Sequence, residues 1–411
     1  MTAAATPHPG NALSRAQLAL FIVVLGALVG LGPFTIDMYL PAFPALTDEF
    51  GVSDAAIQLT LTGTTIGFGL GQLLVGPWSD RVGRRVPLLV ATTLHVLASI
   101  GAALADNVPM LLVFRVLQGA GAAGGGVVAM AMVRDLFGGR PLVRMLSRLA
   151  LVTSMAPILA PVVGSQLLRT MDWRGIFVFL GVYGLVMLVL AGMLLRETRP
   201  EEQTHVVGHS SVGQRYRALF TDRIFVGVAL LGAMQFSGLF AYLSSSSFLF
   251  QEVFGLSAQQ FGLLFAVNSV GILIGNQTAA RLTKVVAPAW ILAGTTAVQF
   301  VSAGFIVLGV FAGWGLPGVV VPLFFFIMAC GFGFPCVQVV ALAHHGSEAG
   351  TAASLLGACN FGVAGILSPI VGLLGIGTAI PMGAVMAVTA VVAILSLWLI
   401  VRPRTVPGLG D

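Results

Sequence analysis

Long apolar stretches separated by short polar connections run through almost the whole chain. Twelve of them reach the roughly 20 residues that a helix needs to cross the hydrocarbon core of a bilayer. The pattern therefore predicts twelve membrane-spanning helices, near residues 16–36, 57–77, 86–105, 109–133, 143–168, 174–195, 223–250, 258–280, 287–311, 317–343, 350–374 and 380–401.

Composition supports an all-α integral membrane protein. Of the 411 residues, 57% are apolar and only 9% are charged, which is more hydrocarbon than one water-soluble core can bury. The longest polar segment runs only from residue 196 to residue 223 and is too short to fold alone. We expect an N-terminal six-helix half at 1–195, a cytoplasmic linker at 196–222 and a C-terminal six-helix half at 223–411.

The basic residues predict the orientation. If both termini are cytoplasmic, 17 of the 20 Lys and Arg residues lie on the cytoplasmic side, as membrane insertion favours. The exceptions are Arg115 within a span and Arg169 and Arg174 in an outer loop. The net charge of +5 therefore reflects membrane topology and does not indicate nucleic-acid binding. The first span is expected to remain in the protein as a helix, since no convincing cleavage site accompanies it.

A dense charged segment, residues 76–85, joins the second and third spans. The positive-inside rule explains its arginines, but it explains neither its acid nor its glycines. Residue types and spacing closely resemble the loop signature of the major facilitator superfamily, carried here by Gly76, Asp80, Arg81, Gly83, Arg84 and Arg85. We expect this segment to act as a gate, pairing with Asp135 and with the end of a second-half span to hold an outward-open state.

The fourth span carries a buried cation. Its residues 111–121 resemble the arginine motif of drug and proton antiporters, with Arg115 as the arginine. A charge in hydrocarbon is costly, so by default it indicates a functional role. The alternative is that Arg115 extends to the outer surface or bonds backbone carbonyls.

The fifth span carries two prolines and a glycine at close spacing. Pro157, Pro161 and Gly164 resemble the antiporter motif of drug exporters, which implies outward transport. Two positions depart from the usual form, because Ala156 precedes the first proline and Ser165 replaces a frequent glycine. A generic proline kink is the alternative.

The end of the first span narrows the resemblance. Residues 36–44, Ile-Asp-Met-Tyr-Leu-Pro-Ala-Phe-Pro, closely resemble the start of the Bcr/CflA branch, which includes bicyclomycin, chloramphenicol and florfenicol exporters. The resemblance implies a proton-coupled multidrug efflux antiporter of the bacterial inner membrane, exporting phenicol- or bicyclomycin-type compounds by alternating access. A symporter or exporter for one small metabolite is the alternative; it would share the spans and the charged loop without needing the proline pattern.

Asp37 is the expected proton carrier. The apolar sequence continues on both sides of it, which places the carboxyl in the outer part of span 1. Burial favours a neutral carboxyl and a nearby cation favours the ionised form, so a bound drug could tip the balance. On the pattern of the family, Arg115 modulates Asp37 or donates a hydrogen bond to the substrate. The alternative is that Asp37 only caps a helix end at the outer surface.

The remaining expectations concern ligands and partners. Neither a nucleotide-binding loop nor a catalytic or metal-ligating constellation is found, so we expect a transporter driven by the proton gradient, with no cofactor or metal, and not an enzyme. The expected partners are a small lipophilic drug, protons and the bilayer, with the chain as a monomer. Drug pockets are mostly apolar and aromatic, and the predicted substrate contacts are Phe34, Asp37, Tyr39, Arg115, Met155, Gln235, Phe236 and Tyr242.

Overall fold

A computed structural model describes residues 14–199, 212–343 and 349–406. Over these ranges the chain forms helices and short connections. The first half contains α1 (Arg15–Asp37), α2 (Phe43–Phe50), α3 (Asp54–Val82), α4 (Arg85–Ala103), α5 (Val108–Leu136), α6 (Gly139–Leu167) and α7 (Arg174–Leu194).

The second half has the same number of long helices. A short helix, α8 (Val212–Thr221), precedes it within the predicted linker, of which residues 200–211 lie outside the described part of the chain. The long helices are α9 (Arg223–Phe248), α10 (Ala258–Leu282), α11 (Pro288–Phe311), α12 (Gly315–Leu342), α13 (Ala349–Leu373) and α14 (Ile380–Leu395). Single π-helical turns extend α9 to Val253 and α14 to Val401.

Helix length and composition confirm the predicted class of fold. Eleven helices of the described residues are long and apolar enough to cross a membrane. The helix α6 has 29 residues and completes a set of twelve. Several helix ends differ from the prediction by a few residues: α6 begins at Gly139 instead of near residue 143, and α3 continues to Val82 instead of ending near residue 77. The last turns of α3 extend beyond the hydrocarbon to the membrane surface. Water solvates the charged side chains there, and the helix can continue.

The two halves repeat one pattern of helix contacts. In the first half α3 and α4 both pack against α5, and α1 packs against α6; in the second half α10 and α11 both pack against α12, and α9 packs against α13. The halves meet along α3 with α13 and along α6 with α10. This arrangement places the interface between the halves at the centre of the molecule, where an alternating-access transporter holds its site.

Glycines allow the closest helix approaches. A Cβ atom at Gly67 of α3 would collide with the carbonyl oxygen of Val116 on α5, and one at Gly119 of α5 would collide with the carbonyl oxygen of Thr64. Small residues at such positions are typical of packing between membrane helices. The first half is therefore tightly joined around α5, the helix that carries Arg115.

Hydrogen bonds close the interface at its outer end. Gln58 is fully buried; its Nε2 donates to the Ser244 carbonyl oxygen at 3.1 Å and its Oε1 accepts from the Gly372 amide at 3.0 Å. Gln259 Nε2 donates to the Ser165 carbonyl oxygen at 2.9 Å. The halves are thus joined on the outer side in this conformation.

Candidate functional site

A cavity of about 230 Å³ lies at the centre of the interface between the halves. Four helices of the second half and three of the first contribute to its wall. The lining residues are Gly32, Pro33, Ile36, Asp37, Phe68, Pro157, Phe236, Leu239, Phe240, Tyr242, Leu243, Phe265, Asn268, Ser269, Ile272, Ile327 and Phe361.

Asp37 brings a carboxyl group into this apolar wall. It is the last residue of α1 and is 6% exposed. The chain then turns through Leu40–Ala42, a single 3-10 turn. Among the described residues that line the cavity, Asp37 is the one with a carboxyl group. The carboxyl group therefore lies between the two halves.

Aromatic side chains supply six of the seventeen lining residues. The rings of Phe236 and Phe361 meet edge to face at 4.9 Å, and Phe68 stacks on Phe361 at 4.9 Å. Tyr242 stacks on Phe265 at 5.5 Å. Such a surface accepts flat, lipophilic molecules with little polar complementarity.

A polar pair interrupts the aromatic wall. Asn268 Nδ2 donates to the Tyr242 hydroxyl at 3.2 Å. The Asn268 Oδ1 atom is buried and has no hydrogen-bond partner in the described structure. Because an unsatisfied buried acceptor costs free energy, this oxygen is suited to accept a hydrogen bond from a ligand in the cavity.

Arg115 bonds the last turn of the helix that carries Asp37 but does not line the cavity. It is fully buried, and its Nη1 donates to the Thr35 carbonyl oxygen at 2.9 Å and to Gln118 Oε1 at 2.6 Å. Its guanidinium lies 4.6 Å from the centre of the Tyr39 ring. Arg115 therefore acts on α1 two residues before Asp37, and the structure gives it no wall position from which to contact a substrate.

The predicted substrate contacts divide into two groups. Asp37, Phe236 and Tyr242 line the cavity. The others lie away from it: Phe34 packs on Tyr183, Tyr39 bonds Thr60, Met155 is 44% exposed, and Gln235 donates to Gln299 and Thr295 inside the second half. A linear sequence does not show which side of a helix faces the interface when nearly all sides are apolar.

The charged segment at residues 76–85 forms a compact network at the cytoplasmic surface. Gly76, Asp80 and Arg81 lie in the last turns of α3 rather than in a loop. Arg84 Nη1 donates to Asp80 Oδ1 at 2.5 Å, and Arg84 Nε donates to Asp135 Oδ2 at 2.8 Å. The geometry thus provides the partner we expected in Asp135.

Glu197 completes this network, although its role was not predicted. Its carboxylate accepts the backbone amides of Arg84 at 2.8 Å and Arg85 at 3.1 Å. Gly83 has a φ of +100°, and a Cβ there would lie 2.6 Å from Glu197 Oε2. Partial burial acts to raise the pKa of Glu197, but four backbone hydrogen bonds outweigh it and hold the pKa below its usual range.

The second-half partner expected for the gate is absent from this arrangement. Within the described residues, Arg84 and Arg85 bond to groups of the first half alone; besides Glu197, Arg85 Nη2 donates to the Gly192 carbonyl oxygen at 2.7 Å. Asp135 and Glu197 already occupy most of the donors of this turn. The network therefore joins α3, α4, α5 and the end of α7 to one another.

The three residues of the antiporter motif lie on α6 where it meets two other helices. The Pro157 carbonyl oxygen accepts from Ser269 Oγ of α10 at 3.1 Å, and Pro157 also lines the cavity. Beside Pro161, the Gly262 backbone of α10 comes so close that a Cβ would lie 2.9 Å from the Pro161 carbonyl oxygen. A Cβ at Gly164 would collide with the Met38 carbonyl oxygen. The motif thus links α1 and the second half beside the cavity.

Several wall residues were missed by the sequence reasoning. Phe68, Phe265 and Phe361 are among 27 phenylalanines, and nothing in the sequence distinguishes them. They are recognisable only once α3 is known to pack against α13 and α6 against α10. The described residues contain no cluster of His, Cys, Asp or Glu side chains that could hold a metal ion.

The described residues form twelve long helices in two halves around a central cavity, which is the architecture of a membrane transporter. The sequence pattern of the Major Facilitator Superfamily matches residues 23–369. The chain belongs to this superfamily of transporters.

Curated relatives match over nearly their whole length. The chain is 35% identical to the uncharacterized MFS-type transporter YdgK of Bacillus subtilis, over 96% of this chain and 98% of the relative. It is 28% identical to a bicyclomycin resistance protein homolog of Haemophilus influenzae, over 92% of this chain and 95% of that relative. It is 27% identical to the multidrug resistance protein MdtL of Escherichia coli, over 94% of this chain and 97% of that relative.

Solved structures share the fold. A bacterial homolog of the human lysosomal transporter Spinster, inward-facing and unoccupied, superposes with a TM-score of 0.76 at 16% identity, over 95% of this chain and 98% of the other. The xylose transporter XylE of E. coli, partially occluded and inward open, has a TM-score of 0.76 at 16% identity, over 96% of this chain and 99% of the other.

Proposed function

We propose that the chain is a proton-coupled multidrug efflux antiporter of the Bcr/CflA branch, located in the bacterial inner membrane. It exports small lipophilic antibiotics of the phenicol or bicyclomycin type, and its drive is the proton gradient. Asp37 carries the proton, and no cofactor takes part. The observation that carries the proposal is the position of the Asp37 carboxyl in the wall of the aromatic cavity between the two halves.

The coupling follows from the chemistry of this wall. A carboxylate left ionised in an apolar cavity is costly, whereas a protonated carboxyl is tolerated. A drug that enters from the cytoplasm displaces the proton from Asp37, and this proton leaves to the cytoplasm. After the drug is released outside, a proton from the outside restores the neutral carboxyl. Arg115, bonded to the Thr35 carbonyl oxygen, positions the end of α1 that carries Asp37.

The size of the cavity supports alternating access. Its volume of about 230 Å³ is below the roughly 300–1,000 Å³ typical of pockets for drug-sized ligands. The halves must therefore separate before an antibiotic fits. The hydrogen bonds of Gln58 hold the outer side closed, so separation on the cytoplasmic side admits the drug and rupture of the outer contacts releases it.

The direction of transport rests on the α6 motif and on the relatives. Pro157, Pro161 and Gly164 resemble the motif of exporters and lie beside the cavity. The names of two relatives, a bicyclomycin resistance protein homolog and a multidrug resistance protein, are consistent with export. Both observations favour export over uptake of a nutrient.

Drug accumulation in cells tests the proposal. Cells that produce the protein should retain less labelled chloramphenicol or florfenicol than control cells, and an uncoupler should abolish the difference. The variant Asp106→Asn, which changes an exposed outer-loop carboxyl, should behave as the unaltered protein. Increased retention would indicate uptake, and no difference for phenicols or bicyclomycin would favour a carrier for a specific metabolite.

A further inference from the structure

A second cavity lies at the cytoplasmic edge of the first half, away from the central site. It has a volume of about 510 Å³ and forms where the start of α1 meets the ends of α5 and α7. Its wall includes Gln17 and Leu20 of α1, Leu136 of α5, and Met193 and Arg196 at the end of α7. The groove therefore spans the boundary between hydrocarbon and cytoplasm.

The deeper part of the groove is apolar and open to the lipid. Leu20 is 45% exposed and Met193 is 77% exposed on the outside of the helix bundle. Both belong to helices that are long and apolar enough to cross a membrane, so we expect these outward-facing side chains to contact the hydrocarbon near its cytoplasmic edge. This part of the groove suits an acyl chain.

The shallower part offers hydrogen-bond donors that remain free. Arg196 is exposed and makes no ion pair with a described carboxylate. Gln17 uses its Oε1 to accept the Ser14 amide at 2.9 Å, which leaves its Nε2 protons for another acceptor. The Glu197 carboxylate, also in the wall, is occupied by backbone amides. The unpaired donors of Arg196 and Gln17 are therefore suited to bind a negatively charged group.

We propose that this groove binds an anionic phospholipid of the inner leaflet. The phosphate contacts Arg196 and Gln17, and one acyl chain lies along Leu20 and Met193. A phospholipid is the occupant that supplies a hydrocarbon tail and a negative head at this depth, and basic pockets at the cytoplasmic side of membrane helices are suited to such heads. A soluble partner would lack the tail.

Binding at this groove affects the charged network directly. Glu197 and Thr198 belong to the groove wall, and Thr198 Oγ1 donates to Asp135 Oδ2 at 3.3 Å. A lipid that binds only the folded segment stabilises it by mass action. The lipid therefore holds Glu197 and Thr198 in place against Arg84 and Asp135.

Native mass spectrometry of the full-length protein tests the proposal without any transport assay. The purified protein is titrated with phosphatidylglycerol and, separately, with phosphatidylethanolamine of the same chains. We expect phosphatidylglycerol to bind the unaltered protein more tightly, and Arg196→Gln to weaken it roughly fivefold, the effect of one basic residue at an anionic surface. Gln17→Ala should weaken it less.

A matched control separates a site from general surface charge. Arg134→Gln removes an exposed cation near the same surface that does not line the groove, and it should leave phosphatidylglycerol binding unchanged. Equal binding of the two lipids, or equal losses in Arg134→Gln and Arg196→Gln, would overturn the proposal. The proposal would also be overturned if the purified protein were a dimer and Arg196→Gln dissociated it, because the groove would then hold a second copy of the chain. Transport of any drug, or its absence, does not bear on these results.

Discussion

Arg84 and Asp135 form a largely buried ion pair that links the turn after α3 to the end of α5. The Arg84 Nε atom lies 2.8 Å from Asp135 Oδ2, and each side chain is 9% exposed. Asp80, which pairs with the same arginine, is 67% exposed. The Arg84–Asp135 pair should therefore affect stability more than the Arg84–Asp80 pair, because an exposed ion pair contributes little to the stability of the fold.

Arg84→Ala and Asp135→Ala should show strong thermodynamic coupling. Each single change leaves a charge without its partner in a poorly solvated place, so each should lower the stability of the protein, and the double variant should lose less than the sum. We expect a coupling energy of about 1 to 2 kcal/mol. Unfolding of the purified variants in a double-mutant cycle measures it.

Arg81 provides the control for this cycle. It lies on the last turn of α3, its side chain is exposed, and its carbonyl oxygen accepts from Arg199. Arg81→Ala combined with Asp135→Ala should be additive. Coupling as large as that of Arg84 would mean that general charge, and not the buried pair, organises the network.

Glu197 should make stability dependent on pH in the acid range. Its pKa in the folded protein lies below the ordinary value of 4.5, because its backbone hydrogen bonds outweigh the opposing effect of burial. The carboxylate therefore stabilises the fold fully above about pH 4.5, and this contribution is lost as the pH falls through the folded pKa.

The comparison with Glu197→Gln isolates this contribution. The variant should melt at a lower temperature than the unaltered protein at neutral pH, because an amide accepts fewer and weaker hydrogen bonds from the four amides. The difference in melting temperature should shrink as the pH is lowered below 4.5. A difference that stays constant across this range would contradict the assignment.

Gln58 should control opening on the outer side. Replacing it with Ala removes two buried hydrogen bonds between the halves, to the Ser244 carbonyl oxygen and from the Gly372 amide. At about 1 kcal/mol for each bond, the balance should shift toward the outward-open state by roughly tenfold or more. Spin labels at Asp106→Cys and Gly377→Cys, in a background without the three native cysteines, would report the longer distance.

Gln166 serves as the matched control for this measurement. It is exposed near the outer end of α6, and among the described residues its side-chain Oε1 accepts a hydrogen bond from Arg169 alone. Gln166→Ala should leave the distance distribution unchanged. An unaltered distribution in Gln58→Ala would show that the outer contacts do not depend on this side chain.

Gly164 should not tolerate even one added methyl group. A Cβ there would collide with the Met38 carbonyl oxygen, next to Asp37. Overpacking of this kind costs about 1 to 3 kcal/mol and would displace the end of α1. We expect Gly164→Ala to lower both thermal stability and drug export. Gly304→Ala, with open space at its Cβ on α11, should be neutral or slightly stabilising.

The sequence predicts the helices well because apolar length is a local property. The spans α7, α11 and α12 begin and end within a few residues of their predicted positions. At α3 the prediction failed locally: charge at Asp80 and Arg81 indicated a loop, whereas the helix continues past the hydrocarbon to Val82. Charged residues mark where the chain leaves the membrane, but the backbone hydrogen bonds of α3 continue beyond that point.

The candidate site could be predicted from the sequence only where a charge or a proline marked it. Asp37 is conspicuous in an apolar stretch, and the structure places it in the cavity wall. Met155 and Gln235 were chosen on helices that are apolar on nearly every side, so the sequence could not show which side faces the interface. Phe361 and Asn268 depend on how the second half packs against the first, which is a tertiary property.

Proton release driven by a drug tests the central claim most directly. In inverted membrane vesicles with an acid interior, phenicols or bicyclomycin should cause loss of the pH gradient with the unaltered protein. Asp37→Asn should abolish this loss, because an amide cannot exchange the proton, and Asp37→Glu should restore part of it. A drug-dependent loss of the gradient that persists in Asp37→Asn would contradict the account.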